Sequence, residues 1–241
     1  MREILYPFKQ KQTLLQIGLC TVIFVGMAVP FKVMVLVEGL TEVRPVNAVP
    51  VVVGLLMGPA GAWGCALGNL IADLFGTFSK ASFLGFWANF IAAYLPYKLW
   101  HTLKKGEKPN VKSGLNIFIY LGISALSSLT VAIFLACGLD VWLKMWIPNL
   151  FFIVFYNNLG FPVALGLPVF IVLTSDAHNV NPAMPKTSRQ PHLARVLVAV
   201  LMLVEVVILW LITQGMIMSS SWAMALLGAI FLISLSALIL L

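Results

Sequence analysis

Charge is what this sequence has least of. Only 10% of its 241 residues are charged, against about a quarter in soluble domains. With 61% hydrophobic residues and a mean hydropathy of +1.01, it has too little polar surface to wrap a soluble globule. Histidine is also scarce. His101, His178 and His192 lie in or beside loops, and none has a second ligand at helical spacing, so no metal site is expected. Cys20, Cys65 and Cys137 each fall inside an apolar run, where they read as small buried hydrophobes rather than disulfide partners. The phosphate-binding pattern GxxxxGK[ST] is absent. No cofactor is expected. The long apolar runs lack the period-two alternation of membrane strands, which excludes a β-barrel. The last apolar run reaches the final residue, so no cytosolic kinase, cyclase or ATPase is expected in this chain.

What is present is a series of apolar runs near twenty residues, enough to cross about 30 Å of hydrocarbon as helix. Backbone in lipid must satisfy its own hydrogen bonds, so the fold class is all-α: a polytopic membrane helix bundle, one integral domain over residues 1–241. The runs are Thr13 to Val37, Asn47 to Phe75, Phe83 to Trp100, Leu115 to Cys137, Val141 to Thr174, Val196 to Met216 and Trp222 to Leu241. The formal charge of +7 resides in short segments between them, which points to positive-inside loops and not to nucleic acid. Three segments are basic: Arg2 to Lys11, Lys104 to Lys112 and Lys186 to Arg195. All three fall on the cytoplasmic side if Asn47 to Phe75 enters and returns. That gives six full spans plus one Gly/Pro-broken or re-entrant segment, in the plasma membrane, with a cytoplasmic N-terminus. Seven spans with the N-terminus outside is the alternative.

The stretch from Val37 to Gly76 carries most of the information. Gly54, Gly58, Ala62 and Ala66 form one small row, and Gly61, Gly64 and Gly68 another; such rows let helices approach closely in lipid. Asn69 and Asp73, four residues apart, share a helical face. If the segment turns at Gly58-Pro59-Ala60-Gly61, both ends emerge together, and Glu38, Arg44 and Asp73 can cluster at one mouth, with Asn47 just before the segment. Asn157 and Asn158 interrupt a later run. Glu205 is an isolated carboxyl midway along an apolar helix, where burial without a partner is costly. It is expected to be protonated, paired with a lysine such as Lys32, or in contact with ligand. These eight residues are the candidate substrate-binding set.

The sequence "NAVPVVVGLLMGPAGAWGCALGNLIADLFG" resembles the second segment of the substrate-binding S components of energy-coupling factor (ECF) vitamin transporters. The matching residues are Pro50, Gly54, Leu55, Leu56, Gly58, Pro59, Gly61, Gly68 and Asp73. The resemblance implies a six-helix bundle without enzymatic activity that binds a vitamin-like small molecule near its outer face. It also implies partners: a membrane scaffold subunit and two ATPases. Docking in that family uses AxxxA surfaces, which puts Ala88 and Ala92 forward here. Three other classes remain in view, one of them a membrane enzyme, hinted at only by Asp73 and His101. A stand-alone secondary transporter would use Gly58-Pro59 and Asn157-Asn158 as matching helix breaks. A membrane sensory or assembly module would share the Gly/Pro-rich helices.

Overall fold

The computed structural model describes residues 2–37, 41–76, 78–104, 107–145, 149–175, 192–213, 228–235 and 237. The chain forms two compact units, Met1–Tyr97 with Lys108–Pro185, and Lys98–Glu107 with Lys186–Leu241. In the first, a short helix α1 (Arg2–Leu5) and a 3-10 turn (Tyr6–Lys9) precede α2 (Lys11–Ala28). Two short strands follow, β1 (Val35–Val37) and β2 (Thr41–Glu42). Then come α3 (Ala48–Met57), α4 (Pro59–Asp73), α5 (Ala81–Leu103), α6 (Gly114–Leu143), α7 (Leu150–Phe161) and α8 (Leu167–Thr174). The boundary between the units falls within α5. The second unit holds α9 (His192–Thr213) and a helical stretch over 228–235. Among the described residues, Lys11–Phe31, Gly114–Leu139 and Leu150–Thr174 are long and apolar enough to cross a membrane. Leu14, Leu15, Leu19 and Val22 of α2 are exposed, as a lipid-facing helix requires. The architecture is an all-α membrane bundle.

The first apolar run is shorter than its hydropathy suggests. The helix does not continue to Val37: it tightens into a 3-10 turn at Val29–Phe31, around Pro30, and stops. Val35 and Val37, β-branched and suited to extended backbone, instead pair with Glu42 and Thr41 in an antiparallel ribbon. Farther on, Pro162 and Pro168 bring no N–H groups to their helix. It widens into a π-helical turn over Pro162–Gly166, closed by the Leu167 N–H on the Pro162 carbonyl.

Gly58 divides the segment that the sequence left open. It has φ +54 and ψ −129, a conformation closed to side chains, and Pro59 follows at the first position of α4, where a missing N–H costs nothing. The neighbours fix the direction of each arm. A Cβ on Gly54 would strike the Ala93 backbone, and one on Gly58 would meet the Tyr97 ring at 3.1 Å, so α3 runs parallel to α5. Trp63 packs on Phe90 with ring centroids 4.9 Å apart, and Gly85 lies against Asn69, so α4 runs antiparallel to α5. The segment is therefore a helical hairpin. Its arms, Pro45–Met57 and Pro59–Asp73, are about 20 and 22 Å long at 1.5 Å per residue. The small rows do not lie on one face, because the break rotates them apart. Gly54 serves α5, Gly61 serves the Val53 backbone of the other arm, and Gly64 and Gly68 admit Cys20 and Phe24 of α2.

The closed end of the hairpin is pinned from below. The Tyr97 and Tyr94 hydroxyls both donate to the Glu3 carboxylate, at 2.5 and 3.4 Å, and Trp63 Nε1 donates to the Ile4 carbonyl at 2.9 Å. Replacing Gly58 with alanine forces a side chain into this turn. The strain of a positive φ costs about 1–3 kcal/mol before the Tyr97 contact is counted. Gly58→Ala should therefore melt in detergent well below wild type, whereas Gly26→Ala, at a position open for 4 Å around, should not. Equal melting temperatures for wild type and Gly58→Ala would refute this account of the turn.

Candidate functional site

The hairpin's open end carries the polar groups. Residues Arg44 and Asn69 stand at the mouths of the two arms, and the Arg44 Nη2 donates to Asn69 Oδ1 at 2.7 Å. One turn on, Asn69 Nδ2 donates to Asp73 Oδ2 at 3.2 Å, the contact that i, i+4 spacing allows. The other Asp73 oxygen, Oδ1, takes the Lys32 ammonium at 2.9 Å. Gly85 makes the row possible, since a Cβ there would stand 2.8 Å from Asn69 Nδ2. Guanidinium, amide, carboxylate and ammonium thus follow one another along a single wall.

This wall borders an open cavity. The polar side is Arg44, Asn69, Asp73, Ser79 and Ser82; the apolar side is Leu135 and Leu139 of α6 with Leu150 and Val154 of α7. Ser82 is buried and its Oγ accepts from the Ser79 N–H at 3.1 Å, which fixes the turn into α5. The Lys32 and Asp73 side chains are only 9% and 10% exposed. Charges so far from water need each other, since an isolated buried ion is strongly penalised. A cavity with one apolar side and a few convergent polar groups is what small-molecule sites generally look like.

The expected substrate-binding set divides. Arg44, Asn69 and Asp73 come together as foreseen. Glu38 lies outside the described residues. Asn47 is buried at the start of α3 and does not line the cavity. Asn157 and Asn158 do not line it either. The Asn158 side-chain amide turns back on its own helix, donating to the Val154 carbonyl at 2.9 Å, while the Asn158 main-chain carbonyl takes the Ser128 hydroxyl at 2.6 Å. Glu205 belongs to the second unit, where Ser234 Oγ donates to Glu205 Oε1 at 3.0 Å. Lys32, of the first unit, bonds Asp73. Ala88 and Ala92 are buried, and the Ala92 carbonyl accepts from Ser127 Oγ of α6 at 3.2 Å. They are packing residues of the bundle and offer a partner no surface. Among the described residues no cluster of histidine, cysteine or carboxylate side chains could hold a metal ion.

Two features escaped the sequence. The role of Lys32 depends on α2 lying parallel to α4, shown by Cys20 against Gly64 and Phe24 against Gly68. No spacing rule connects residues 41 apart. The apolar wall comes from α6 and α7, whose leucines look like any others in an apolar run.

Fold and cavity together define a membrane helix bundle with a cleft that is polar on one side and apolar on the other. Residues 14–175 match the QueT transporter family, and the chain belongs to that family, whose members are S components of the ECF type. No curated protein and no solved structure matches the chain. The matched region holds α3 to α8 and nearly all of α2. Counting the hairpin arms as two and the α7–α8 rod as one, it contains six helical elements.

The ion pair gives a direct test. Lys32→Met strands a buried carboxylate and should cost about 3–5 kcal/mol of stability, read as a large fall in detergent melting temperature. Adding Asp73→Asn removes the stranded charge and should recover most of the loss. Additive effects of the two changes would mean the pair is not coupled.

Proposed function

We propose that this chain is the substrate-binding subunit of an ATP-driven uptake transporter for a queuosine precursor, held at the cavity by Arg44, Asn69 and Asp73. The supporting observation is the polar wall of that cavity within the very region that carries the family match. Queuosine is a modified nucleoside, so its precursor brings a flat, nitrogen-rich base. A cavity with carboxylate and guanidinium on one side and leucines on the other suits such a base. The protein has no catalytic activity of its own. ATP hydrolysis is supplied by partner ATPases through a membrane scaffold subunit.

Orientation supports uptake. The tyrosine-bound Glu3 end of the bundle also carries Lys9, Lys11, Lys108 and Lys112, at the start of α2 and between α5 and α6. The positive-inside rule places these in the cytoplasm of a cell with this protein in its plasma membrane. The cavity, at the opposite end of α2 and α4, then opens outward.

Purified wild-type protein should bind a queuosine precursor, and Asp73→Ala should bind it at least ten times more weakly. Gly26→Ala, which does not line the cavity, should bind normally. Wild-type protein that melts cooperatively yet binds no queuosine precursor would remove this ligand from consideration. Mild-detergent purification from the native host should recover a membrane scaffold and two ATPase subunits. Recovery of the protein alone, under conditions that preserve a known membrane complex, would remove the ATP-driven coupling and leave a transporter that works by itself.

A further inference from the structure

Prolines interrupt two of the helices that wall the cavity. Pro96 lies inside α5, and Pro162 follows α7 where the rod widens into its π-helical turn. A proline brings no N–H, so each leaves the carbonyl four residues earlier without its helical partner. Those carbonyls belong to Ala92 and Asn158. Both are taken by hydroxyls of α6: Ser127 Oγ donates to the Ala92 carbonyl at 3.2 Å, and Ser128 Oγ donates to the Asn158 carbonyl at 2.6 Å. Consecutive serines of one helix thus serve the proline breaks of two others, and all four residues lie in apolar surroundings where a freed carbonyl needs such a donor. The Ser128 hydroxyl also lies 2.7 Å from the Ser124 carbonyl of its own helix, so its proton keeps an acceptor when α7 moves away. Both breaks fall on the same side of the cavity. Ala81, Ser82 and Gly85 of α5 line the cavity ahead of Ala92, and Leu150 and Val154 of α7 line it ahead of Asn158. On α6, Ser128 precedes the cavity residue Leu135 by about 10 Å of helix.

We infer that the cavity ends of α5 and α7 are two jaws, hinged at Pro96 and Pro162 and held by Ser127 and Ser128, whose movement admits and releases the ligand. This inference rests on the cavity being the substrate site. Prolines and π-turns are where helices bend, and here the carbonyls they free tie the bend to α6. Ser127 and Ser128 are positioning residues, since they do not line the cavity but set the angle of walls that do. Loss of a serine leaves its carbonyl unpaired in the closed arrangement, which favours opening. Loss of the proline returns an N–H to that carbonyl, makes the serine redundant and stiffens the wall.

A cysteine on each wall reads the jaws without any ligand. Purified Val154→Cys and Ala81→Cys proteins are treated with a water-soluble methanethiosulfonate, and the modification rate at each position is followed by peptide mass spectrometry, which separates it from Cys20, Cys65 and Cys137. Ser128→Ala should speed modification at position 154 by about threefold or more, the scale of one net hydrogen bond, and Pro162→Ala should slow it by a similar factor. In the Pro162→Ala background, adding Ser128→Ala should change nothing. Ser127→Ala and Pro96→Ala should behave in the same way at position 81. Proline variants that react at the wild-type rate overturn the inference, as does a serine effect that persists when the proline is gone. If the serine variants do not fold, Pro162→Ala and Pro96→Ala, which each add a backbone donor, carry the test by themselves. A queuosine precursor should protect position 154 in the otherwise wild-type chain. Hinge effects without that protection uphold the jaws and overturn the substrate assignment, whereas protection without hinge effects overturns the jaws alone.

Discussion

At Gly58 the chain reverses inside an apolar run, with a backbone conformation of φ +54 and ψ −129, and the cavity depends on that reversal. Backbone buried in lipid cannot leave N–H and C=O groups unpaired. The reversal keeps the accounts nearly closed. The Gly58 N–H still bonds the Gly54 carbonyl at 2.8 Å, and the Gly58 carbonyl already accepts from the Ala62 N–H at 3.1 Å. Pro59 contributes no donor that would need a partner. One helix ends and the next begins on the same residue, without an exposed loop. Because the arms are of similar length, Arg44 and Asn69 return to the same level and can bond.

The polar end is built as a sequence of compensations. The Asp73 carboxylate would be prohibitive alone at 10% exposure, and Lys32 supplies the countercharge. Lys32 reaches it because Gly64 and Gly68 let α2 settle close on α4. The glycines and the ion pair are thus parts of one arrangement: small residues bring the helices together, and the approach allows charge to be buried. Asn69 then extends the line from carboxylate to guanidinium. At the end of that line Arg44 donates to the neutral Asn69 amide oxygen.

Much of this was legible in the sequence, for physical reasons that can be named. Hydropathy fixed the bundle, since no soluble fold tolerates so little charge. Gly58-Pro59 marked the reversal because only glycine takes that backbone and only the first turn of a helix takes proline without loss. Asn69 and Asp73 were readable as a pair because helical periodicity is local. Contacts set by helix direction were not readable. Lys32 finds Asp73 only because α2 and α4 are parallel, and Ser128 finds the Asn158 main-chain carbonyl only because α6 packs on α7. The end of α2 was misjudged because valines suit both an apolar helix and a strand. Ala88 and Ala92 had the spacing of a docking surface, but spacing says nothing of which face is covered.

The second unit applies the same rule with a different answer. Glu205 is 3% exposed within α9, with no basic partner among the described residues. Its Oε1 takes the Ser234 hydroxyl from the following helix, while Oε2 has no hydrogen-bond partner. In hydrocarbon, helices gain little from apolar contact alone, and a single interhelical hydrogen bond contributes to pairing and register. Met202 and Val206 flank Glu205 on the buried face of α9, and Phe231 and Leu235 flank Ser234 on the other helix. A carboxyl held by one hydroxyl among apolar side chains differs in kind from Asp73, which sits in a row of charges at a cavity. The first unit concentrates its polar groups where a ligand can use them. The second, whose Lys186–Leu241 segment lies beyond the residues that match the family, uses its polar group to join two helices.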